Sequence, residues 1–347
     1  VAQLAGRMVR SGHTVEVLTE SRSADLPVLE RLDGVLVRRF TVPLTNHPYA
    51  VAPGLWWYLL THRAEYDVVH AHNYHALPAL STVPARIQPL VFTPHYHGVA
   101  TTRAGRLLHV PYRWIAAQIF RRSAAVICVS QWEAQLVGRH FPAVRDRITI
   151  IPNGVDVERI QAAAPVSAGK PLILTVGRLK GYKNVGRILE AMTHLEPGLR
   201  LVIAGDGPDR SALEQHARRL NLESRIRFLG HVPQSELDRW YRAARVFVTV
   251  SSEEAFGVTV LEALAAGARV VASDIPAHRE VADLVGGVGM QLVAASAPAT
   301  ELAREIERAL RAGPIEPDTL HLPRWSDVAA QTEAVYRSLV TKQRQPV

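Results

Sequence analysis

The chain is poor in cysteine, methionine and aromatic residues: of 347 residues, 1 is Cys, 3 are Met and 6% are aromatic. A single thiol, Cys128, forms no intramolecular disulfide and leaves no cysteine-based zinc spacing. It falls in the apolar stretch 124–129, where a buried core thiol is expected. No apolar run approaches the roughly 20 residues of a membrane span. No secretory leader is visible, so the expected compartment is the cytoplasm. Lysine is absent from residues 1–151, where 16 Arg face 9 acids for a net +7, whereas residues 152–347 stand at +1. A basic first half suits an anionic partner, be it a phosphorylated acceptor, an acidic lipid surface or nucleic acid. No nucleic-acid motif accompanies it, and an Arg-rich composition is the plain alternative. Also lacking is the strand and glycine-bearing turn with which a doubly wound domain opens. The chain starts on helical spacing (Val1, Leu4, Ala5, Met8, Val9), stopped by Ser11-Gly12, and has no initiator Met. The expectation is that the true N-terminus is absent and with it the first strand. That strand would lie centrally, with strands at 13–19 and 89–93 flanking its place.

A length of 347 residues exceeds one ordinary core, and 48% hydrophobic with 21% charged residues is the composition of a folded chain. Two domains are therefore expected. In the first half, strands are expected at 13–19, 34–41, 67–71, 89–93, 124–130 and 148–151, and helices at 1–10, 50–63, 112–122 and 131–140. A loose Ala/Pro-rich segment, 161–169, precedes a second series. Its strands are read at 171–176, 200–204, 225–229, 246–250, 268–272 and 289–293. Its helices are read at 184–193, 211–220, 235–243 with Ser235 as N-cap, 258–266, 300–312 and 327–341. Strands alternating with helices imply parallel sheets.

The stretch 247–274 organises the second half. It reads as strand, loop, helix, Gly267 cap and strand, with Glu254 in the loop and Glu262 eight positions on. One acid can face a ligand at the helix N-terminus while the other, two turns into the helix, lines the same cleft. The N–H groups of Gly257, Val258 and Thr259 favour phosphate there. Standing alone, the pair also fits a capping loop with surface glutamates. Three more strand ends carry glycine and polar groups: Gly177-Arg178, Gly205-Asp206-Gly207 and Gly230-His231. In an open α/β sheet such ends converge on one ligand-binding edge, and glycine permits close backbone approach. Arg178 and Lys183, five apart, can together clamp a diphosphate, Arg as a fork and Lys as a point charge.

The runs GRLKGYK (177–183), EEAFGVTVLEALAAG (253–267) and PNGVD (152–156), in order and preceded by FTPHYHG (92–98), closely resemble the retaining glycosyltransferases of family 4. The resemblance covers nearly the whole chain. It implies the GT-B fold, in which two Rossmann-like domains with parallel sheets face each other across a cleft. Here the first would be an incomplete acceptor domain at 1–155 and the second a donor domain at 156–325. A C-terminal helix at 326–347 would pack back toward the first. By the resemblance, Arg178 and Lys183 match the donor-diphosphate clamp. Glu254 contacts the transferred sugar and Glu262 the ribose hydroxyls. The backbone of Phe256, Gly257 and Val258 receives sugar hydroxyls or phosphate oxygens, with Gly177 and Gly205 at neighbouring strand ends. The backbone from Gly230 to Val232 lies against the base, and His95 lies near the reacting centre. Ala255 stands where glycine is common. No cofactor and no metal are implied; the donor would be a UDP- or GDP-sugar and the acceptor a sugar or lipid-linked sugar, in cell-envelope polysaccharide or glycolipid synthesis.

Two other classes remain open: a nucleotide-sugar 2-epimerase on the same fold, and a non-catalytic nucleotide-sugar binder. A dehydrogenase is disfavoured, since no G-x-G-x-x-G follows a first strand. His70, His72, His75, His95 and His97 are close in sequence, but only Asp67 is a nearby acid, so metal is not expected. His72 and His97 read as cleft-lining and His70 and His75 as structural. Arg103, Arg106, Arg113, Arg121 and Arg122 flank Trp114, Ile115, Ile119 and Phe120. That is either a peripheral membrane contact or an ordinary helix with a basic face.

Overall fold

The structure is a computed structural model that describes residues 1–23, 25–42, 52–74, 76–98, 103–167 and 172–344, with backbone alone for 103–111 and 342–344. His75 lies outside the described residues, as do the side chains of Arg103 and Arg106.

In chain order the elements are α1 (Ala2–Arg10), β1 (Glu16–Ser21), β2 (Leu29–Leu32), β3 (Val35–Thr41), α2 (Pro53–His62), β4 (Val69–His72), α3 (Leu77–Leu80), β5 (Leu90–Thr93), α4 (Arg103–Arg122), β6 (Ala125–Cys128), α5 (Gln131–His140), β7 (Ile148–Ile150), α6 (Val157–Ala162), β8 (Leu172–Val176), α7 (Val185–Met192), β9 (Arg200–Ala204), α8 (Arg210–Arg219), β10 (Ile226–Gly230), α9 (Gln234–Ala243), β11 (Ala244–Thr249), α10 (Val258–Ala265), β12 (Arg269–Ser273), α11 (Pro276–Leu284), β13 (Met290–Val293), α12 (Ala299–Arg311) and α13 (Trp325–Arg344). They form two compact units, one of residues 1–153 with 325–347, the other of residues 154–324.

The first unit holds two sheets. One has the order β1-β3-β2, the other β4-β5-β6-β7. The second of these is parallel throughout, and its inner strands β5 and β6 are buried along their whole length. Leu90, Phe92, Val126 and Cys128 pack with Ile119 and Phe120 of α4. Burial pushes the Cys128 thiol up, which keeps it protonated. Strand β2 was not read from the sequence. It joins β3 antiparallel through Asp33 (φ 50°) and Gly34 (φ 83°), both in the left-handed region that a two-residue hairpin turn requires. The expectation that strands at 13–19 and 89–93 flank one gap is not met. Strand β5 is internal, bonded to β4 and β6, and the edge strands of its sheet are β4 and β7. Helix α13 belongs to this unit: Val328 packs with Val91, Ala125 and Ile127, and the Tyr336 hydroxyl lies 2.6 Å from His70 Nδ1.

The second unit is a six-stranded parallel sheet of order β10-β9-β8-β11-β12-β13. Counted within the unit this is 3-2-1-4-5-6, the doubly wound order, whose direction reverses between β8 and β11. Strands read LILTV, RLVIA, ARVFVT and RVVAS because helices cover both faces, so no polar alternation is needed. Ile173, Leu201, Ile203, Val246, Val248 and Val271 form the core with Ile188, Met192, Leu302 and Ile306 of α7 and α12. Helix α9 begins at Gln234 with Pro233 as its N-cap and no side-chain cap, so the expected cap Ser235 lies inside the first turn. Proline fixes the entry backbone angle but offers no side-chain acceptor, so the first-turn N–H groups of α9 go without a side-chain cap.

Candidate active site

The loops after β8 and β11 flank the point where strand order reverses, the ligand-binding position of an open α/β sheet. The first runs through Gly177 and Arg178 into one turn of 3-10 helix, Gly181–Lys183. Asn184 follows in the left-handed region (φ 50°), and its Nδ2 donates to the Val250 carbonyl at 3.0 Å. Ser252 N–H donates to the Tyr182 carbonyl at 2.8 Å. These two bonds dock one loop on the other. As a result Lys183 Nζ lies 2.5 Å from Glu254 Oε1, with the two side chains 14% and 17% exposed. Sequence separation of 71 is thus closed into one ion pair.

Gly177 lies against that lysine, and its backbone (φ 153°) rather than a clash is what favours glycine: a Cβ there would stand 3.4 Å from Lys183 Nζ. Gly177, Arg178 and Lys183 share the lining of one small cavity with Thr175 and Thr249. Arg178 is exposed and makes no hydrogen bond or ion pair with the described residues. Gly205 serves the chain itself. It has φ 126°, and a Cβ there would fall 2.0 Å from the Gly177 carbonyl oxygen, so glycine is demanded by loop packing. Gly230 ends β10, and Val232 is half-buried in the connection to α9.

Helix α10 starts after Gly257, which holds φ 106°, and no side chain caps it. Val260 and Leu261 N–H donate to the Gly257 carbonyl, so the N–H groups of Val258 and Thr259 are the ones left to be satisfied from outside the helix. The Phe256 side chain is buried, so only its backbone is offered. Glu262 stands one turn, not two, into α10 and accepts a 2.9 Å hydrogen bond from the Tyr241 hydroxyl. Burial raises its carboxyl above the ordinary range, while Tyr241 and Arg159 pull the other way. Behind the Glu254 loop, the fully buried His278 has Nδ1 2.8 Å from the Ser273 carbonyl, and Ser273 Oγ donates to the Ser251 carbonyl at 2.5 Å.

His95 belongs to the first unit. It follows β5 with φ 49°, and burial lowers its imidazole to about 4, so it is neutral near pH 7. Its ring stacks 6.1 Å from His72, which stacks 4.1 Å from His70. His70 is structural, bridged between Tyr336 and Thr93 Oγ1. Among the described residues no group of three His, Cys, Asp or Glu is placed to hold a metal.

Sequence reasoning missed three supporting residues. Fully buried Glu133 accepts from Val129 N–H at 2.7 Å and from Tyr96 N–H, holding the His95 loop. The S-x-x-E signature of Ser130 and Glu133 was legible as a capping box. Its serine half forms, with Glu133 N–H to Ser130 Oγ at 3.0 Å, but the carboxylate turns to the loop instead. Tyr241 and His278 had no local signal, because their partners stand on other elements.

Comparison with known proteins gives the family and the fold. The family described as Glycosyltransferase Family 4 matches residues 1–159, and Glycosyl transferases group 1 matches residues 156–319. The D-inositol 3-phosphate glycosyltransferase of Xylanimonas cellulosilytica is 30% identical over 323 residues, covering 83% of this chain and 78% of that protein. Among solved structures, sucrose-phosphate synthase of Thermosynechococcus elongatus superposes with a TM-score of 0.79 at 23% identity, covering 98% of this chain and 92% of that one. The Anabaena protein HepE, solved in complex with UDP-glucose, gives a TM-score of 0.67 at 19% identity over 94% of this chain and 97% of that one. With GT-B structures matched along nearly its whole length and both family descriptions meeting near residue 156, the chain belongs to the family 4 glycosyltransferases.

Proposed function

We propose that this glycosyltransferase moves a hexose from a UDP- or GDP-sugar to an acceptor hydroxyl with retention of configuration and without a metal ion. The observation that carries the reading is the grouping of Lys183, Glu254, an Arg178 unpaired among the described residues and the start of α10, which no side chain caps, at the reversal point of the second unit. The UDP-glucose in the HepE structure supports a nucleotide-sugar donor.

In a donor complex Lys183 Nζ would exchange Glu254 for a phosphate oxygen, freeing Glu254 to accept sugar hydroxyls. Arg178 and the α10 N–H groups would take the remaining phosphate oxygens. Such preorganised donors stabilise a leaving diphosphate most as its charge develops. The anomeric C–O bond to phosphate breaks, and the acceptor oxygen bonds the same face. The departing phosphate oxygen receives the acceptor proton. No carboxylate is assigned as a covalent nucleophile. Neutral His95 orients sugar or acceptor by hydrogen bonding. Glu262 takes the ribose hydroxyls, and the backbone from Gly230 to Val232 lies against the base.

The test uses water as acceptor. UDP-glucose and GDP-mannose are incubated with the protein and EDTA, and the first anomer released is followed by proton NMR. Release of the α-sugar is expected. A β-sugar released first would overturn retention. Rescue of EDTA-inhibited turnover by a divalent ion would overturn metal independence. A free epimer formed with no transfer would favour the epimerase, and binding with no turnover the non-catalytic binder.

A peripheral contact with the cytoplasmic face of a membrane, where a lipid-linked acceptor would be met, is part of the same reading. On α4, Trp114 is 74% and Ile115 54% exposed, beside exposed Arg121 and Arg122, while Ile119 and Phe120 are core. On α2, Trp57 is 70% exposed beside Trp56 and Leu60. No described helix is long and apolar enough to cross a membrane. Co-sedimentation with vesicles containing 30% anionic lipid is expected for the intact chain and reduced for Trp114→Ser. Equal sedimentation with neutral vesicles would count against an electrostatic contact.

A further inference from the structure

We propose that Tyr241 is a positioning residue for nucleotide recognition: its hydroxyl fixes one oxygen of Glu262 so that the carboxylate meets the ribose hydroxyls in one orientation and with its charge intact. This rests on the donor-site reading above and deepens it.

The Tyr241 ring is fully buried on α9, packed 5.9 Å from the Phe247 ring of β11. Its hydroxyl donates to Glu262 Oε2 at 2.9 Å, across 21 positions of sequence. A carboxylate taken out of water for structural reasons is normally matched by a cation. Here the neighbouring cation is engaged elsewhere: Arg159 of α6 bonds Asp238 of α9, and its Nε stands 3.5 Å from Asp156. Gln234 Nε2 donates to Asp238 at 3.1 Å, and the same side chain also reaches Glu262 and helps to lower its carboxyl. The charged groups facing Glu262 are thus Arg159 from α6 and Asp238 from α9, already joined to each other. From α11, the buried His278 interacts with Glu254 and Lys183 instead. Glu262 is therefore held by neutral donors, of which the Tyr241 hydroxyl makes the 2.9 Å bond. A phenol fixes geometry without spending the negative charge, which suits a group that must accept hydrogen bonds from a ligand. The same arrangement explains why a raised carboxyl persists in a well-packed second unit: burial raises it, and the Tyr241 bond restrains the rise.

Tyr241→Phe keeps the ring and removes the bond. Titration calorimetry with UDP, GDP and pyrophosphate from pH 5 to 8 on wild type, Tyr241→Phe, Glu262→Gln and the double variant is the experiment. The expected result is a 5- to 10-fold weaker nucleotide at pH 7.5 for Tyr241→Phe, with pyrophosphate within 2-fold of wild type. The midpoint of the pH dependence should move upward. In the Glu262→Gln background, Tyr241→Phe should add little, because the pair acts as one unit. Nucleotide affinity and pH profile unchanged in Tyr241→Phe would overturn the inference alone, as would equal losses for nucleotide and pyrophosphate. No nucleotide binding by the wild-type chain would overturn the donor-site reading and this inference with it.

Discussion

Arg178 and Lys183 carry the same formal charge but stand differently. Arg178 is exposed and unpaired among the described residues, whereas Lys183 is matched to Glu254 at 2.5 Å. Removing an unpaired surface cation changes stability by no more than about 0.5 kcal/mol. Removing Lys183 leaves a mostly covered carboxylate without its partner, a loss of about 1–3 kcal/mol. Arg178→Ala should therefore keep the wild-type Tm, and Lys183→Ala should lower it, as read by differential scanning calorimetry. Glu262 gives the opposite sign. Its carboxyl is raised in the folded state, so folding favours the protonated form. That contribution is fully present below the ordinary carboxylate value of about 4.3 and is lost as pH rises through the raised folded value. Glu262→Gln should raise Tm at pH 7.5, not raise it at pH 4, and weaken UDP or GDP binding at both. A site residue that costs stability while serving a ligand is a common trade. The identities and sequence spacing of Glu254 and Glu262 were legible in the chain. Their partners were not, because Lys183 and Tyr241 arrive from separate elements and no local period links them.

Elements were most legible where the chain's own chemistry settles them. Helix α5 matches its reading at 131–140, although Ser130, read as the end of a strand, is its cap, and β9 was placed on 200–204 from an apolar run bounded by polar residues. Strand β2 escaped because its exposed, mixed sequence LERL carries little apolar period, although Asp33-Gly34 was a hairpin signal in plain view. The Ser235 reading failed because Pro233 opened α9 first. The glycine-rich strand ends were read as ligand approaches, yet Gly205 answers to the Gly177 carbonyl at 2.0 Å from its missing Cβ. Gly205→Ala is thus expected to lose about 3 kcal/mol or more from clash and a left-handed backbone. Urea unfolding followed by tryptophan fluorescence reads this. Wild-type stability in that variant would show that the β8 and β9 loops are not locked together.

At the scale of the molecule, the second unit is continuous in sequence, while the first borrows α13 from the far end of the chain. Its parallel sheet followed from strand–helix alternation and its Rossmann-like character from the family resemblance, whereas the two-sheet arrangement of the first unit depends on pairing that composition does not encode. Deleting residues 325–347 removes Val328 and Ala329 from the first unit's core and the Tyr336 bond from His70. A loss of about 3–6 kcal/mol is expected in that unit alone. Hydrogen exchange should show β4 and β5 opening faster and β8 and β9 unchanged. Slower or equal exchange in β4 and β5 would show that α13 is dispensable there.

The account turns on a diphosphate site built by Arg178, Lys183 and the start of α10. Isothermal titration of UDP and GDP in the presence of EDTA, on wild type and on Arg178→Ala, tests it most directly. One nucleotide should bind the wild type without a divalent ion. Arg178→Ala should bind it about 10- to 150-fold more weakly, the equivalent of about 1.5–3 kcal/mol for a charge-assisted contact. Equal affinity in the two proteins, or binding by the wild type only after a divalent ion is added, would contradict the account.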